Sequence, residues 1–416
     1  MTSSPNSQYK VRSLHCDCQA DDETVYQVLR RATLPLARAW DKLKAAQRIA
    51  IKFNQDYRSE RVPYFEGMRE QLVSDKVARA LVRLLREETD AELVYADITA
   101  FARTDDLNPP PTAQMAGLMR DLGVGYVNGD RPPHKVYQVP GGGQMFRQYL
   151  LPQEVVEADA LVDVQKMKNH KFMGTTLCLK NLFGLVPREP YGRSRQYFHH
   201  LVRMPYMLAD IGRIFDPTLN IIDALTAQAG QEWGDGEGNG RIVNAVIAGD
   251  HTVATDTVGM MLMGHDPRGD WPAQPCVRDR NPVLVAAEGG FGTVDLDQID
   301  YESEVDPQPA GTFYSIERDT KERVISWRRT ACEQALHYRD HVREFTDKYA
   351  GQYILLQDRE VKWHNDDSIL RWSRRKLAGD NPDQAMWLKY VDPDEVEGEH
   401  FEVYEQTLER MTELGY

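Results

Sequence analysis

The chain has 416 residues, 41% of them hydrophobic and 27% charged, with a formal net charge of −14. That length gives ample core for about two to three domains, and the acidic balance argues against nucleic acid and anionic membrane surfaces as partners. No run approaches the roughly 18–20 apolar residues of a membrane helix, and the start MTSSPNSQYKVRSLHCDC lacks the apolar core of a signal peptide, so a cytoplasmic protein is expected.

In chain order, residues 1–22 read as a flexible start. Its Cys16 and Cys18 form a C-x-C pair expected to be mobile and reduced. With Cys178, Cys276 and Cys332 the cysteines are odd in number and contain no CxxC, so no iron–sulfur cluster is expected. Residues 23–47 carry apolar residues at helical spacing, interrupted near Pro35. Arg48–Asn54 reads as a short buried strand. Ser74 caps a helix through Leu85, and Glu92–Ile98 is a second strand, a strand–helix–strand order that suggests a parallel crossover. After the stiff Asn108–Thr112 come a helix over 113–122, a strand near Tyr126, a Pro/Gly-rich loop over 131–143 and a strand over 154–164. Beyond the basic segment lie strands at Asn220–Asp223 and Val243–Ala248, with the glycine-rich 230–240 between them, and helices over 254–263 and 283–290. Residues 311–350 read as a linking charged helix, and 351–416 as a small ββαβ module with an acidic tail. The hairpin there spans 352–364, the helix 368–377 and the last strand 385–391. The expected class is α/β: a mixed, mainly parallel sheet with flanking helices over 23–310, plus this small C-terminal α+β module.

The segment 163–203, DVQKMKNHKFMGTTLCLKNLFGLVPREPYGRSRQYFHHLVR, reverses the charge balance of the chain. It holds Lys166, Lys168, Lys171, Lys180, Arg188, Arg193, Arg195 and Arg203, and beyond Asp163 its only acid is Glu189. Like charges held together repel unless counter-charges sit among them. Either distant carboxylates or a bound phosphate or carboxylate would supply those, and the small residues and histidines mixed into the run favour the ligand. Thr175 and Thr176 precede an apparent helix over 175–183, whose first N–H groups could bind an anion or be capped by Thr175 itself. His170 is a candidate acid or base near neutral pH. Lys180 is a candidate anion partner or, if desolvated, a nucleophile. His199 or His200 is a candidate metal ligand, but adjacent helical histidines point about 100° apart. Asp223, at the end of the apolar run NIID, and Asp256 could complete a metal site. Asp235 and Glu237 in the glycine-rich loop are further carboxylates.

KMKNHKFMGTTLCLKNLFGLVP resembles the central motif of the domain-of-unknown-function 362 family, K-x-K-x-H followed by T-x-x-x-K-N-x-x-G. IKFN at 51–54, NIIDA at 220–224, AGDHTVATD at 248–256 and GGFG at 289–292 resemble further family pieces in order. Thr252 stands where the family usually has Pro. On this resemblance Lys52 and Asn54 join Lys168, Thr175, Thr176, Asn181 and Arg195 as binding residues. The order His170, Lys180, His199 or His200 is also similar to nickel-pincer lactate racemases, which carry a catalytic His, a Lys anchoring the pincer nucleotide and a nickel-binding His. The glycine-rich sequence around the racemase Lys is missing here.

The expectation is an enzyme that binds an anionic small molecule in a His/Lys-rich pocket. His170 and Lys180 would be catalytic, in acid/base or metal-assisted chemistry of an isomerase or oxidoreductase kind. A divalent metal would sit on His199, His200, Asp223 and Asp256. The alternative is a non-catalytic metal- or ligand-binding or protein-interaction module in a biosynthetic pathway. A homo-oligomer is compatible with either.

Overall fold

Continuous burial along Arg48–Phe53 and Glu92–Asp97 marks strands covered on both faces, as a parallel sheet between helices requires. The computed structural model describes residues 7–98, 107–188, 191–232, 239–366 and 385–416. Among these, nine strands form the central sheet. They are β1 (Tyr9–His15), β2 (Arg48–Phe53), β3 (Glu92–Asp97), β4 (Gly125–Asn128), β5 (Ala160–His170), β6 (Gly174–Thr176), β7 (Leu219–Gln228), β8 (Gly240–Gly249) and β9 (Ile299–Ser303). The order is β9-β1-β8-β7-β5-β2-β3-β4, with β6 folded back on β5. The pairs β7/β5, β5/β2, β2/β3, β3/β4 and β1/β9 are parallel, whereas β8 runs antiparallel to both β1 and β7. The protein is thus α/β, with a mixed, mostly parallel sheet.

One face of the sheet is covered by helices Asp22–Thr33, Ala37–Ala45 and Asp75–Glu88, whose buried residues include Leu29, Trp40 and Leu81. The first two are separate helices because Pro35 has no N–H to continue the ladder. The Ser74 hydroxyl accepts from the Val77 N–H and starts the third. The other face packs on Arg203–Phe215, Thr252–Leu262 and Pro282–Glu288.

Several expectations are corrected. Residues 9–15, expected to be flexible, form β1 between β8 and β9, and Cys16 and Cys18 are buried free thiols rather than a mobile pair. Hydrogen bonding to two neighbouring strands outweighs the polar composition of the start. The strand expected at 154–164 is a helical turn, Gln153–Val156, followed by β5, which runs on through Lys166 and Lys168 to His170. Lys166 and Lys168 of the basic run are therefore buried strand residues. The helix expected over 175–183 is β6 followed by a single turn, Cys178–Asn181, and a 3-10 turn, Leu182–Leu185. The 131–143 loop contains the strand His134–Gln138, paired with Gln148–Pro152. The linking helix is two helices, Lys321–Asp340 and Val342–Tyr349.

Near the C-terminus, β10 (Tyr353–Gln357) lies between β11 (Glu360–Asn365) and β12 (Trp387–Tyr390) in a small antiparallel sheet. The helix expected at 368–377 lies outside the described residues. The acidic tail contains the helix Glu402–Glu413. Ile354, Trp387 and Tyr404 belong to the same buried cluster as Ile222 and Ile247 of the main sheet. Fully buried charges lock this contact: Arg203 pairs with Glu399 at 2.9 Å, Lys389 reaches the same carboxylate at 2.9 Å, and the Tyr404 hydroxyl donates to it at 2.6 Å.

Burial alone would raise the Glu399 carboxyl, but Arg203 and Lys389 overcome it and hold the group at about 2. Its folded value lies below the ordinary glutamate value near about 4.3. The resulting stabilisation is present above that value and is lost as pH falls towards about 2. Glu399→Ala, which leaves buried Arg203 without its carboxylate and Lys389 with Glu395 alone, is expected to cost about 3–5 kcal/mol by urea denaturation at neutral pH. It should also flatten the acid limb of the stability curve. An unchanged acid limb would show that another group carries it.

Candidate functional site

After β2 the chain moves outward through β3 to β4, then returns to lay β5 on the other side of β2. Such a reversal leaves a crevice at the C-terminal ends of the two strands, where open α/β sheets bind ligands. Lys52 and Asn54 stand at that end of β2, Asp97 at the end of β3, and Lys168 and His170 at the end of β5. With Thr176, Lys180, Asn181, Phe183, Gly184, Arg195 and Glu232 they line an open cleft, about 580 Å³ when the solvent-filled mouth is included.

The turn that carries Lys180 is fixed from two sides. The Asp256 carboxylate accepts from Cys178 N and Leu179 N, both at 2.8 Å. Asn181 Nδ2 donates to Asp163 Oδ1 at 2.6 Å and to the Val164 carbonyl at 3.1 Å. The first N–H groups of this turn are thus taken by Asp256, which leaves no helix-end anion site. Thr175 pairs with Asn169 in the β5/β6 hairpin and does not line the cleft, whereas the Thr176 hydroxyl, buried without a partner, does. Asn54 Oδ1 and Gln55 Nε2 are likewise buried and unpaired at the cleft wall.

Four cations converge here, and two have carboxylate partners. Lys52 lies 3.1 Å from Asp97, and Lys168 lies 3.5 Å from Glu232. Lys180 and Arg195 have no ion-pair partner among the described residues; both lie near the Phe183 ring, at 4.8 and 4.9 Å from its centroid. Burial first, then the Arg195 charge, lowers the Lys180 ammonium to about 7, with Glu232 opposing. Burial raises Asp97 to about 7 even though Lys52 pulls it down.

His170 is held at both nitrogens. Nδ1 accepts from Phe172 N and Met173 N, each at 3.0 Å, so the ring proton sits on Nε2 and is directed at Glu232 Oε1, 3.1 Å away. Burial, then Lys180, Lys168 and Arg195, keeps the imidazole neutral by driving its pKa well below the ordinary value. This geometry commits His170 to one tautomer, with Nε2–H as a hydrogen-bond donor into the cleft and Nδ1 held by two backbone N–H groups. The His199 ring lies 5.7 Å from that of His170 and 4.7 Å from Phe172, and burial, then Lys180, drives its pKa down as well.

The expected metal ligands are not brought together. Asp223 pairs with Lys166 at 3.4 Å and accepts from Ser74 N at 2.8 Å, fully buried. Asp256 caps the Lys180 turn. His200 bonds to the Leu201 and Met386 carbonyls at 3.0 and 3.1 Å, facing the small C-terminal sheet. Among the described residues no three His, Cys, Asp or Glu are grouped to hold an ion. The donor set therefore does not fit the nickel site that the racemase resemblance implies, and no step is derived through a metal. Asp235 and Glu237 lie outside the described residues.

Glu232 and Asp97 were missed by reading the sequence. Glu232 sits in a glycine-rich stretch with no periodicity to mark it. Asp97 ends the apolar run LVYAD, the same strand-end signal that singled out Asp223, and could have been found.

The chain belongs to the family described as a domain of unknown function (DUF362), whose model matches residues 49–261. That span contains every residue of the cleft. Among relatives, the thylakoid-associated protein sll1697 of Synechocystis sp. is 29% identical over 127 residues, 29% of this chain and 38% of that protein. The lactate racemase apoprotein from Thermoanaerobacterium thermosaccharolyticum aligns over 58% of this chain and 54% of its own, at 17% identity and a TM-score of 0.34. That likeness is too slight to assign any residue.

A Cβ at Gly184 would stand 2.7 Å from Lys52 Cε and 2.8 Å from its Nζ. Gly184→Ala is expected to push the ammonium off Asp97 at a cost of about 1–3 kcal/mol. Without Lys52 beside it, the Asp97 carboxyl should titrate above its present value of about 7. Carbon-13 NMR of the carboxyl resonances reads this directly, and an unmoved midpoint would refute the coupling.

Proposed function

We propose that the protein is an enzyme that binds an anionic small molecule in this cleft and transfers a proton on it. Lys180 is the proton-transfer group; Lys168, Arg195 and the His170 Nε2–H hold the anion. One observation carries the reading. Lys180 is buried beside two further cations with no ion-pair carboxylate of its own among the described residues, yet opens onto the cleft. A lysine so placed is partly unprotonated near neutral pH and serves as a base, while the uncompensated charge around it favours an anion. Deprotonation of a carbon next to a carboxylate is the matching reaction class, since the cations stabilise the negative charge that develops. Thr176 Oγ1 and Gln55 Nε2, both buried and unpaired at the wall, are further donors for it.

Deuterium exchange in D₂O at the carbon next to the carboxyl, followed by proton NMR over a panel of 2-hydroxy and 2-amino acids, tests this. Exchange is expected with the wild type, rising with pH through about 7 as Lys180 loses its proton. Lys180→Arg keeps the charge but cannot act as a base at this pH. It should retain anion binding and lose exchange by about 10²-fold or more. Full exchange in Lys180→Arg would sink the assignment.

A further inference from the structure

The fork formed by Lys168 and His170 already holds a carboxylate. Glu232 places Oε1 3.1 Å from His170 Nε2 and Oε2 3.5 Å from Lys168 Nζ, so each oxygen meets one donor. His170 is neutral and its proton points outward, so the fork presents one ammonium and one N–H, the match for a single carboxylate. Glu232 is also the only acid beside these two donors among the described residues of the cleft; Asp97 is taken up with Lys52.

We infer that Glu232 stands where a carboxylate of the ligand binds, and that the ligand is a dianion bearing such a group, which displaces Glu232 from Lys168 and His170. This rests on the anion-binding reading above and adds the ligand's class. The charge count leads to the second anionic group. A ligand carboxylate that takes the place of Glu232 replaces one negative charge with another, so Lys180 and Arg195, which have no ion-pair partner among the described residues, remain under-compensated. A dicarboxylate meets Lys168 and His170 with one end and Arg195 with the other, with Lys180 beside it. The chain thereby carries its own competitor, and apparent affinity is reduced by the fraction of molecules in which Glu232 is in place.

Calorimetric titration of the full chain with malonate, succinate, acetate and inorganic phosphate separates the outcomes, with circular dichroism to confirm that each variant is folded. Glu232→Gln keeps the side-chain shape and removes the charge. It is expected to bind malonate or succinate about tenfold or more tightly than the wild type does, with a smaller gain for acetate. Arg195→Met should lose dicarboxylate binding in either background. Dicarboxylate affinity equal to or weaker than wild type in Glu232→Gln would overturn the inference and make Glu232 a positioning residue for His170, leaving the anion-binding reading intact. Phosphate binding tighter than either dicarboxylate would overturn the ligand class. Failure of every anion to bind both folded proteins would overturn the inference and the underlying reading together.

Discussion

The structure is organised around the cost of burying positive charge. A run of eight cations passes through the middle of the fold, and each buried one must meet a carboxylate, give up its proton or await a ligand. Four are met by carboxylates from far along the chain: Lys166 by Asp223, Arg188 by Asp130, Arg193 by Glu397 and Arg203 by Glu399. These pairs hold the sheet, the loop after β4 and the C-terminal segment together. Lys168, Lys180 and Arg195 share one carboxylate, Glu232, among the described residues, and they are the ones that face the cleft. The part of the run that lines the cleft is what structural pairing leaves over.

Topology decides where the remainder is exposed. The reversal of strand order at β2 and β5 opens a crevice at their C-terminal ends, and the hairpin from β5 to β6 turns the chain back into it. Asp256 and Asn181 then fix a single helical turn so that Lys180 returns beside Lys168. Two carboxylates that resemble catalytic or metal-binding groups in the sequence, Asp223 and Asp256, are spent on this scaffolding. Their distance from the ligand space follows from what they bond: backbone N–H groups and a buried ammonium, which leave no lone pair directed at the cleft.

The same geometry redistributes chemical roles. An imidazole with two backbone donors on one nitrogen is committed to a single tautomer, so His170 carries its proton on Nε2, while burial and the Arg195 charge lower the Lys180 ammonium to about 7. The acidic tail has a matching part. Glu397 and Glu399 neutralise Arg193 and Arg203 on either side of the short helix that carries Arg195, so that Arg195 is left as the arginine of that stretch facing the cleft.

The α/β class, the parallel crossover after Arg48, the helix capped by Ser74, and the family-like string from Lys166 to Pro187 were all legible in the sequence. They depend on local periodicity, capping and spacing, which short stretches specify by themselves. The reversed charge balance of the basic run was legible too, but not which of its members line the cleft. Pairing partners such as Glu232, Glu397 and Glu399 lie tens to hundreds of residues away, and a charge in sequence carries no sign of the carboxylate that will meet it in space. Only the tertiary structure distinguished the cations it neutralises from those it leaves open, because burial and partner distance, not composition, set the free energy of each charge.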